Sequence, residues 1–332
     1  MSSRGPSKLE TPLTRMFGVR APILVGPMTA VSEVSLVVAA AEAGIFAGLP
    51  PHNFRDVAAF RAALREIRAR TRGPFAVNLI VNRANVLLSR QLEAALEAET
   101  PIFVTSLGDP SDVIRRAHAA GAKVVCDVST LEHGLRVKDA GADALNAVVA
   151  GAGGHAGHVS AFALVPSLVD RVGLPVVCAG GVVDGRGLAA ALALGAAGVQ
   201  MGTRFIASAE CAAPQGWKDA IVSATTDDVV LTERLSGVMG SYLKTPDLER
   251  QMRAMPAPVR ALLRHPRTKS TTRKLMLLIA SRRMDAVRRG ERALYSAGQS
   301  SDMVHDVAPV AEIVDRILRE YRDVVGDLAS GA

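Results

Sequence analysis

CAGGVVDGRGLAAALALGAAGVQMGTRF, residues 178–205, contains the same pattern twice, an apolar run that ends in a glycine turn. The two runs predict strands over Pro175–Ala179 and Gly198–Met201, and the alanine-rich stretch between them predicts a helix over Gly185–Ala193. Each predicted strand is almost continuously apolar, which is typical of a parallel strand covered on both faces. This stretch therefore predicts a strand–helix–strand unit of a parallel sheet.

The same alternation runs through the chain upstream of this stretch. Further candidate strands are Pro22–Val25, Ile45–Ala47, Phe75–Ile80, Ile102–Thr105, Lys123–Cys126 and Ala144–Val149. Further candidate helices are Ser32–Ala43, Phe54–Arg70, Asn85–Ala98, Ser111–Ala120, Thr130–Ala140 and Leu164–Arg171. Eight strands with intervening helices predict an α/β fold of the (β/α)8 TIM-barrel class. A doubly wound sheet stays open as an alternative, because strand order cannot be read from sequence.

The alternation stops after Phe205, and residues 214–294 read as helices without a convincing strand. Residues 310–328 return to an amphipathic helical pattern. We therefore predict a TIM barrel over residues 1–213 and 295–332, with a small, mainly helical, basic domain over 214–294 inserted before the closing helix. Because the insertion follows the eighth strand, we expect it over the carboxyl ends of the strands, where barrel enzymes bind substrates.

Composition narrows the class of protein. The 332 residues are 49% hydrophobic and 21% charged, with three cysteines, which argues against a disordered chain, a disulfide framework or a zinc site. The sequence has neither a secretory signal nor an apolar stretch near the ~20 residues that span a bilayer, so we expect a cytoplasmic protein without membrane contacts.

The net charge of +7 is concentrated in one segment, since thirteen Lys or Arg and two acids lie between residues 250 and 292. No aromatic residue is interleaved with these charges and no nucleic-acid-binding motif accompanies them. We interpret this segment as a solvated face and expect no nucleic-acid partner, although phosphates of a ligand would also be attracted to it.

The segment GAGGHAGH, residues 151–158, follows the sixth predicted strand and carries the candidate catalytic residue His155. Its glycines, among them Gly153 and Gly154, let the backbone pass close to a flat ligand because they carry no Cβ atom. A histidine at the carboxyl end of a barrel strand can act as an acid, a base or a fixed positive charge. A solvated loop histidine is the alternative interpretation.

Glycine turns follow the seventh and eighth strands, at Gly180-Gly181 and at Gly202-Thr203. Barrels often bind a phosphate with these two loops, because unpaired backbone N–H groups and a helix amino terminus favour an anion. The two turns together predict a phosphate site, and the alternative is that the glycines merely end their strands. No catalytic triad order, metal-ligand spacing or Walker motif is present in the sequence.

Two other strand ends carry candidate ligand contacts. Gly26-Pro27-Met28 forms a stiff turn whose amides could face a ring system, and Asn78 places a polar amide where carbon would suffice for packing. Because asparagine readily caps turns, a loop cap is the alternative role of Asn78.

These motifs resemble those of the nitronate monooxygenase family, FMN-dependent TIM barrels related to a flavin-dependent enoyl-acyl-carrier-protein reductase. The resemblance runs from Thr11 to about Tyr321 and rests on the order and spacing of PILVGPM, FAVNL, GAGGHAG followed by SAFALVP, residues 178–205 and YSAGQ. The stretch LSGVMGSYL, residues 235–243, is similar to one found in oxygen-using members.

The resemblance implies FMN as the cofactor and His155 as the catalytic residue, beside the reactive face of the ring. In the family, a nitronate gives an electron to the flavin, and oxygen chemistry yields a carbonyl compound and nitrite. The positions implied to bind the cofactor are Gly26, Pro27, Met28, Asn78, Asp127, Gly153, Gly154, Gly180, Gly181, Gly202, Thr203 and Gln299.

Two positions depart from the family pattern. Gly151 stands where the family usually has an acid, and Asp127 stands where some members have lysine or glutamine. A carboxylate near the flavin would oppose the negative charge of the reduced ring. The alternative is that Asp127 points elsewhere.

The resemblance favours oxidation of alkyl nitronates, with the nitronate and O2 as small-molecule partners. An alternative is a reductase that passes hydride from NAD(P)H to a quinone or an enoyl thioester. A flavin-free phosphosugar barrel is a further alternative, because its phosphate loops are alike. The oligomeric state stays open, with a homodimer among the alternatives.

Overall fold

The computed structural model describes residues 9–235, 238–253 and 289–331, together with scattered positions between 262 and 287. Its centre is a closed barrel of eight parallel strands in the order β1-β2-β3-β4-β5-β6-β8-β9. The barrel confirms the predicted TIM-barrel class and rules out the doubly wound sheet. The barrel strands are Ile23–Val25 (β1), Phe46–Leu49 (β2), Ala76–Ile80 (β3), Ile102–Ser106 (β4), Lys123–Val128 (β5), Ala144–Val148 (β6), Val176–Ala179 (β8) and Gly198–Met201 (β9).

Helices cover the outside of the barrel. Those with predicted bounds begin and end close to them, because each follows the expected apolar periodicity and several start at a capping side chain, such as Asp56, Thr130 and Asp184. The helices are Pro12–Phe17 (α1), Val34–Glu42 (α2), Val57–Arg70 (α3), Leu88–Glu97 (α4), Ser111–Ala119 (α5), Leu131–Asp139 (α6), Ala161–Val172 (α7), Gly185–Ala193 (α8), Thr203–Ile206 (α9), Gln215–Ser223 (α10), Pro246–Arg253 (α11) and the closing helix Val310–Ser330.

The amino-terminal half of the barrel interior is apolar. Alternate strand residues face inward, and those from β1 to β8 form one buried cluster with α1, which closes the bottom of the barrel through Leu13 and Phe17. The inward-facing strand residues of this cluster are Leu24, Phe46, Ala76, Ile102, Val104, Val125, Ala144 and Val177. Because this half is packed with side chains, a ligand can enter only from the opposite end.

The closing helix is joined to α8 and α9 by close packing and by charge. The backbone N–H of Gly185, in α8, donates to Glu320 Oε2 of the closing helix at 2.9 Å. Buried Arg204, in α9, donates to Oδ1 of Asp306, which precedes the closing helix, at 2.8 Å. Hydrogen bonds from Arg316 and Arg204 lower the pKa of Asp306 to about 2. These contacts attach the carboxyl-terminal end of the chain to the helices that cover the barrel.

The prediction that residues 214–294 contain no strand is wrong. Val229–Thr232 (β10) and Gly240–Leu243 (β11) pair antiparallel, and β11 pairs on its other side with the two-residue strand Gly154–His155 (β7). The segment after the eighth strand therefore reaches the loop that follows β6, at the mouth of the barrel. This contact agrees with the expected position over the carboxyl ends of the strands.

The division into domains stays a prediction, and most of the basic segment 250–292 lies outside the described residues. Ser236 and Gly237 of the stretch LSGVMGSYL lie outside them as well. Among the helices that the structure describes, none is both long and apolar enough to cross a bilayer.

We predict that Gly185→Ala destabilises the fold, because a Cβ at this position would lie 2.2 Å from the backbone nitrogen of Tyr321 in the closing helix. Overpacking of this kind costs about 1–3 kcal/mol, which urea denaturation measures as a lower midpoint. The control is Gly326→Ala in the closing helix, where the new methyl group meets nothing within 4 Å. Equal midpoints for the two variants would contradict this view of the packing.

Candidate active site

The carboxyl-terminal layer of the barrel interior is polar, unlike the layer below it. Asn78, Ser106, Asp127 and Asn146 each lie two residues beyond an inward-facing apolar residue of β3, β4, β5 or β6, and Gln200 lies on β9. Because side chains alternate along a strand, all of these residues face the interior. We call this set of five residues the polar belt.

Hydrogen bonds connect the polar belt across the barrel. Asn78 Nδ2 donates to Ser106 Oγ at 2.9 Å and to the carbonyl of Val104 at 3.3 Å, and Ser106 Oγ donates to Asp127 Oδ2 at 2.5 Å. Asn146 Nδ2 donates to Asp127 Oδ1 at 2.7 Å and to Gln200 Oε1 at 3.1 Å. Asn78 therefore lies inside the barrel wall, and its predicted alternative role as a loop cap is wrong.

The polar belt retains hydrogen-bonding capacity for a ligand. Asn146 is fully buried, yet its Oδ1 has no hydrogen-bond partner in the structure. Burial raises the pKa of Asp127, while hydrogen bonds from Asn146 and Ser106 act in the opposite direction. A buried unsatisfied amide oxygen costs about 1–3 kcal/mol, so a ligand that donates a hydrogen bond here would recover that energy.

The turn Gly26-Pro27-Met28 lies beside the polar belt. A Cβ on Gly26 would lie 3.3 Å from the side-chain amide of Gln200, which shows how closely the turn approaches β9. Buried Asn53 holds the turn in place, since its Nδ2 donates to the carbonyl of Met28 at 3.0 Å and its Oδ1 accepts from Ala30 at 2.7 Å. The predicted stiff turn is thus present at the mouth.

The loop that carries His155 is held by two separate segments, β11 and residues 297–299. β11 pairs with Gly154–His155, and Gln299 donates its backbone N–H to the carbonyl of Gly151 at 3.2 Å. Gly153 packs so closely on the 297–298 segment that a Cβ would lie 2.7 Å from the Gly298 nitrogen. The segment expected to be a flexible glycine run is therefore partly a strand.

His155 is exposed at the mouth of the barrel, and the protein around it partly desolvates its imidazole. The resulting desolvation lowers its pKa below the ordinary value of about 6.5, so the ring is neutral at neutral pH. A neutral imidazole can accept a proton or a hydrogen bond. This arrangement favours the base role over the role of a fixed positive charge.

The two predicted phosphate turns meet the same loop. Gly181 has a left-handed backbone, φ +75°, with open space where a Cβ would stand, and the Gly151 Cβ position is 3.6 Å from the Gly181 nitrogen. Thr203 Oγ1 accepts the backbone N–H of Gly298 at 2.9 Å, which fixes the start of α9 against the segment that leads to Gln299.

Two of the amino-terminal N–H groups of α8 donate to side chains. Asp184 Oδ1 accepts the N–H of Gly187 at 3.0 Å, and Glu320 accepts the N–H of Gly185. These two N–H groups already have side-chain acceptors, and the phosphate site predicted from the two glycine turns stays a prediction. The space beside Gly181, Gly202 and Thr203 remains.

The sequence reasoning missed Ser106, Asn146 and Gln200 as parts of the site, and it missed His52. His52 lies just after β2, on the side of the barrel opposite β6, and its Nε2 is 2.9 Å from Thr29 Oγ1. Desolvation lowers the pKa of His52 to about 4. A signal for the belt was present, because each polar residue interrupts an apolar strand at an inward-facing position.

Among the described residues, no three His, Cys, Asp or Glu side chains cluster as metal ligands. Cys126 and Cys178 are buried in strands, as the sequence predicts, and burial raises the pKa of their thiols to about 12 and about 11. They are packing residues.

Comparisons with known proteins agree with this architecture. The family model described as nitronate monooxygenase matches residues 83–320. A nitronate monooxygenase of Pseudomonas aeruginosa is 34% identical, over 68% of this chain and 77% of its own length. A (3aS,4S,5R,7aS)-5-hydroxy-7a-methyl-1-oxo-octahydro-1H-indene-4-carboxyl-CoA dehydrogenase of Mycobacterium tuberculosis is 35% identical, over 73% of this chain and 68% of its own length. The solved structure of FabK from Thermotoga maritima matches with a TM-score of 0.85 at 32% identity, covering 98% of this chain and 100% of that one.

We predict that the imidazole of His155 titrates below the ordinary histidine value of about 6.5, because its surroundings disfavour the charged form. At this histidine the unfolded chain then binds a proton more tightly than the folded chain does. The free energy of unfolding therefore falls as the pH drops below 6.5. The measurement is a proton NMR titration of the ring signals, with the His155→Ala spectrum as the assignment control. A midpoint at or above 6.5 would show that the ring is well hydrated.

Proposed function

This chain belongs to the nitronate monooxygenase family, and we propose that it uses FMN and O2 to oxidise alkyl nitronates to carbonyl compounds and nitrite. The observation that carries the proposal is the position of His155. A neutral imidazole at the mouth of the barrel, on a loop held by two other segments, is suited to orient a small anion or to take a proton from its neutral parent.

The described residues fit a flavin in two respects. The orphaned Oδ1 of Asn146 offers an acceptor at the floor of the mouth, and open space beside Gly181 leaves room for a phosphate. We assign the ring to the turn Gly26-Pro27-Met28 and to the polar belt. We assign the phosphate to Gly180, Gly181, Gly202 and Thr203, with Gly153, Gly154 and Gln299 bordering the cofactor.

FMN, when bound, supplies the electron acceptor that the side chains of this site lack. The side chains of the protein bind the substrate and take up its proton. His155 holds the nitro group of a nitronate by hydrogen bonding, or removes the α-proton of a neutral nitroalkane at its unprotonated ring nitrogen. β11 and the 297–299 segment hold the loop and so fix the position of His155.

A second candidate function is a reductase of enoyl thioesters or quinones that draws hydride from NAD(P)H. The observation in its favour is that the Mycobacterium tuberculosis relative, at 35% identity, is named as a carboxyl-CoA dehydrogenase. A coenzyme A thioester carries phosphates, and the basic segment 250–292 would attract them.

Anaerobic stopped-flow mixing of the FMN-loaded protein tests the proposal. We expect ethyl or propyl nitronate to bleach the flavin absorbance within seconds, and we expect NADH and NADPH to leave it unchanged. Rapid bleaching by a nicotinamide, with no response to nitronate, would overturn the proposal in favour of the reductase. A protein that is colourless and takes up no FMN would overturn both in favour of a flavin-free barrel.

A pair of histidine variants controls this experiment. His155→Ala removes the proposed base and should lower turnover of nitroalkanes by roughly 10²–10⁴-fold while FMN remains bound. His158→Ala removes an exposed histidine three residues away in the same loop and should leave turnover unchanged. Equal turnover in the two variants would remove His155 from the mechanism.

We predict that Gly181→Asp prevents retention of FMN, because a carboxylate would occupy the open space that we assign to the phosphate. Gly181→Asn is the matched control, since asparagine has the same shape, tolerates a left-handed backbone and carries no charge. Equilibrium dialysis should show affinity for FMN lowered at least about tenfold more by aspartate than by asparagine. Equal affinities would place the phosphate elsewhere.

A further inference from the structure

The polar belt contains one ionisable side chain, Asp127, and the mechanism above assigns it no step. We propose that the carboxylate of Asp127 tunes the cofactor, lowering its reduction potential by holding a negative charge at the floor of the mouth. The inference rests on the proposed function, because it requires a flavin at this mouth.

The hydrogen bonds around Asp127 describe an ionised carboxylate. Ser106 Oγ receives a hydrogen bond from Asn78 Nδ2 and has one proton of its own, which it donates to Asp127 Oδ2 at 2.5 Å. Asn146 Nδ2 donates to the other carboxyl oxygen at 2.7 Å. Both oxygens act as acceptors in this arrangement, which favours the ionised form, whereas burial raises the pKa of this carboxyl.

No cation neutralises this carboxylate within the part of the chain that the structure describes. The groups that face it are the hydroxyl of Ser106 from β4 and the amide of Asn146 from β6. The adjacent thiol of Cys126 stays protonated, because burial raises its pKa to about 12. Hydrogen bonds spread the charge of Asp127 but do not cancel it.

The carboxylate of Asp127 lies where its charge would act on a ligand bound at the mouth. Asp127, Ser106 and Gln200 are partly accessible, while Asn146 is buried beneath them, so the polar belt opens toward the mouth. Gln200 connects the belt to the turn at Gly26. A charge in such a partly desolvated place acts more strongly on its neighbours than a charge in water does.

Reduction adds negative charge at the mouth, and a carboxylate already present there opposes that addition by Coulomb repulsion. The oxidised form is favoured, so the reduction potential is lower than it would be with a neutral residue at this position. The electrons come from the substrate and pass on to O2, and Asp127 itself is neither oxidised nor consumed. A low potential favours this onward transfer to O2.

Spectroelectrochemical titration of the FMN-loaded protein at pH 8 tests the inference. We expect Asp127→Asn, which removes the charge and keeps the shape, to shift the equilibrium toward reduced flavin about tenfold, equal to about 30 mV for a two-electron couple. Asp127→Ser, a second neutral variant, should shift it in the same direction. Asp139→Asn removes the same charge from the exposed face of α6 and should leave the potential unchanged.

Ser106→Ala separates a charge effect from disruption of the belt, since it removes a hydrogen bond to Asp127 but retains the carboxylate. We expect less than a threefold shift from this variant. The inference is overturned if Ser106→Ala matches the shift of Asp127→Asn, if both neutral variants keep the wild-type potential, or if they fold but lose FMN. A wild-type protein that takes up no FMN overturns the proposed function as well, whereas a yellow wild type with unshifted variants overturns this inference alone.

Discussion

The interior of the barrel must be filled, and this requirement organises the rest of the molecule. Eight parallel strands direct every second side chain inward, and a barrel of this size leaves just enough space for those side chains. Apolar residues fill the lower layer, and α1 closes the bottom through Leu13 and Phe17. The polar belt fills the upper layer, which makes the carboxyl end of the barrel the one face where a polar ligand finds partners.

A polar layer inside a barrel is stable only when its groups satisfy one another. Asn78, Ser106, Asp127 and Asn146 form a continuous chain of hydrogen bonds that also reaches Gln200. Because Asn78 and Asn146 each donate twice within the barrel wall, little hydrogen-bonding capacity is lost, and Asn146 Oδ1 is the belt atom left without a partner in the described residues. The same arrangement can keep a charged residue in the barrel without an ion pair, which is the basis of the tuning role inferred for Asp127.

The sequence identified the strands well because each is a short apolar run bounded by glycine or polar residues. It failed at β10 and β11, whose sequences VVLT and GSYL are too short to show periodicity. These strands exist because β11 finds partners on both sides, β10 and the two residues Gly154–His155. Pairing between residues about 85 positions apart is a property of the folded chain, and local patterns do not reveal it.

By itself, the sequence determined the eight strands, the glycine turns at their ends, the histidine beside them and the resemblance to a family. These features are local, since each depends on the spacing of residues within one strand, helix or turn. Only the tertiary structure decided that Asn78 belongs to a belt with Ser106 and Asn146, that side chains accept two amino-terminal N–H groups of α8, and that desolvation lowers the pKa of His155. Hydrogen-bond partners and desolvation depend on which distant segments meet, and barrel closure brings those segments together.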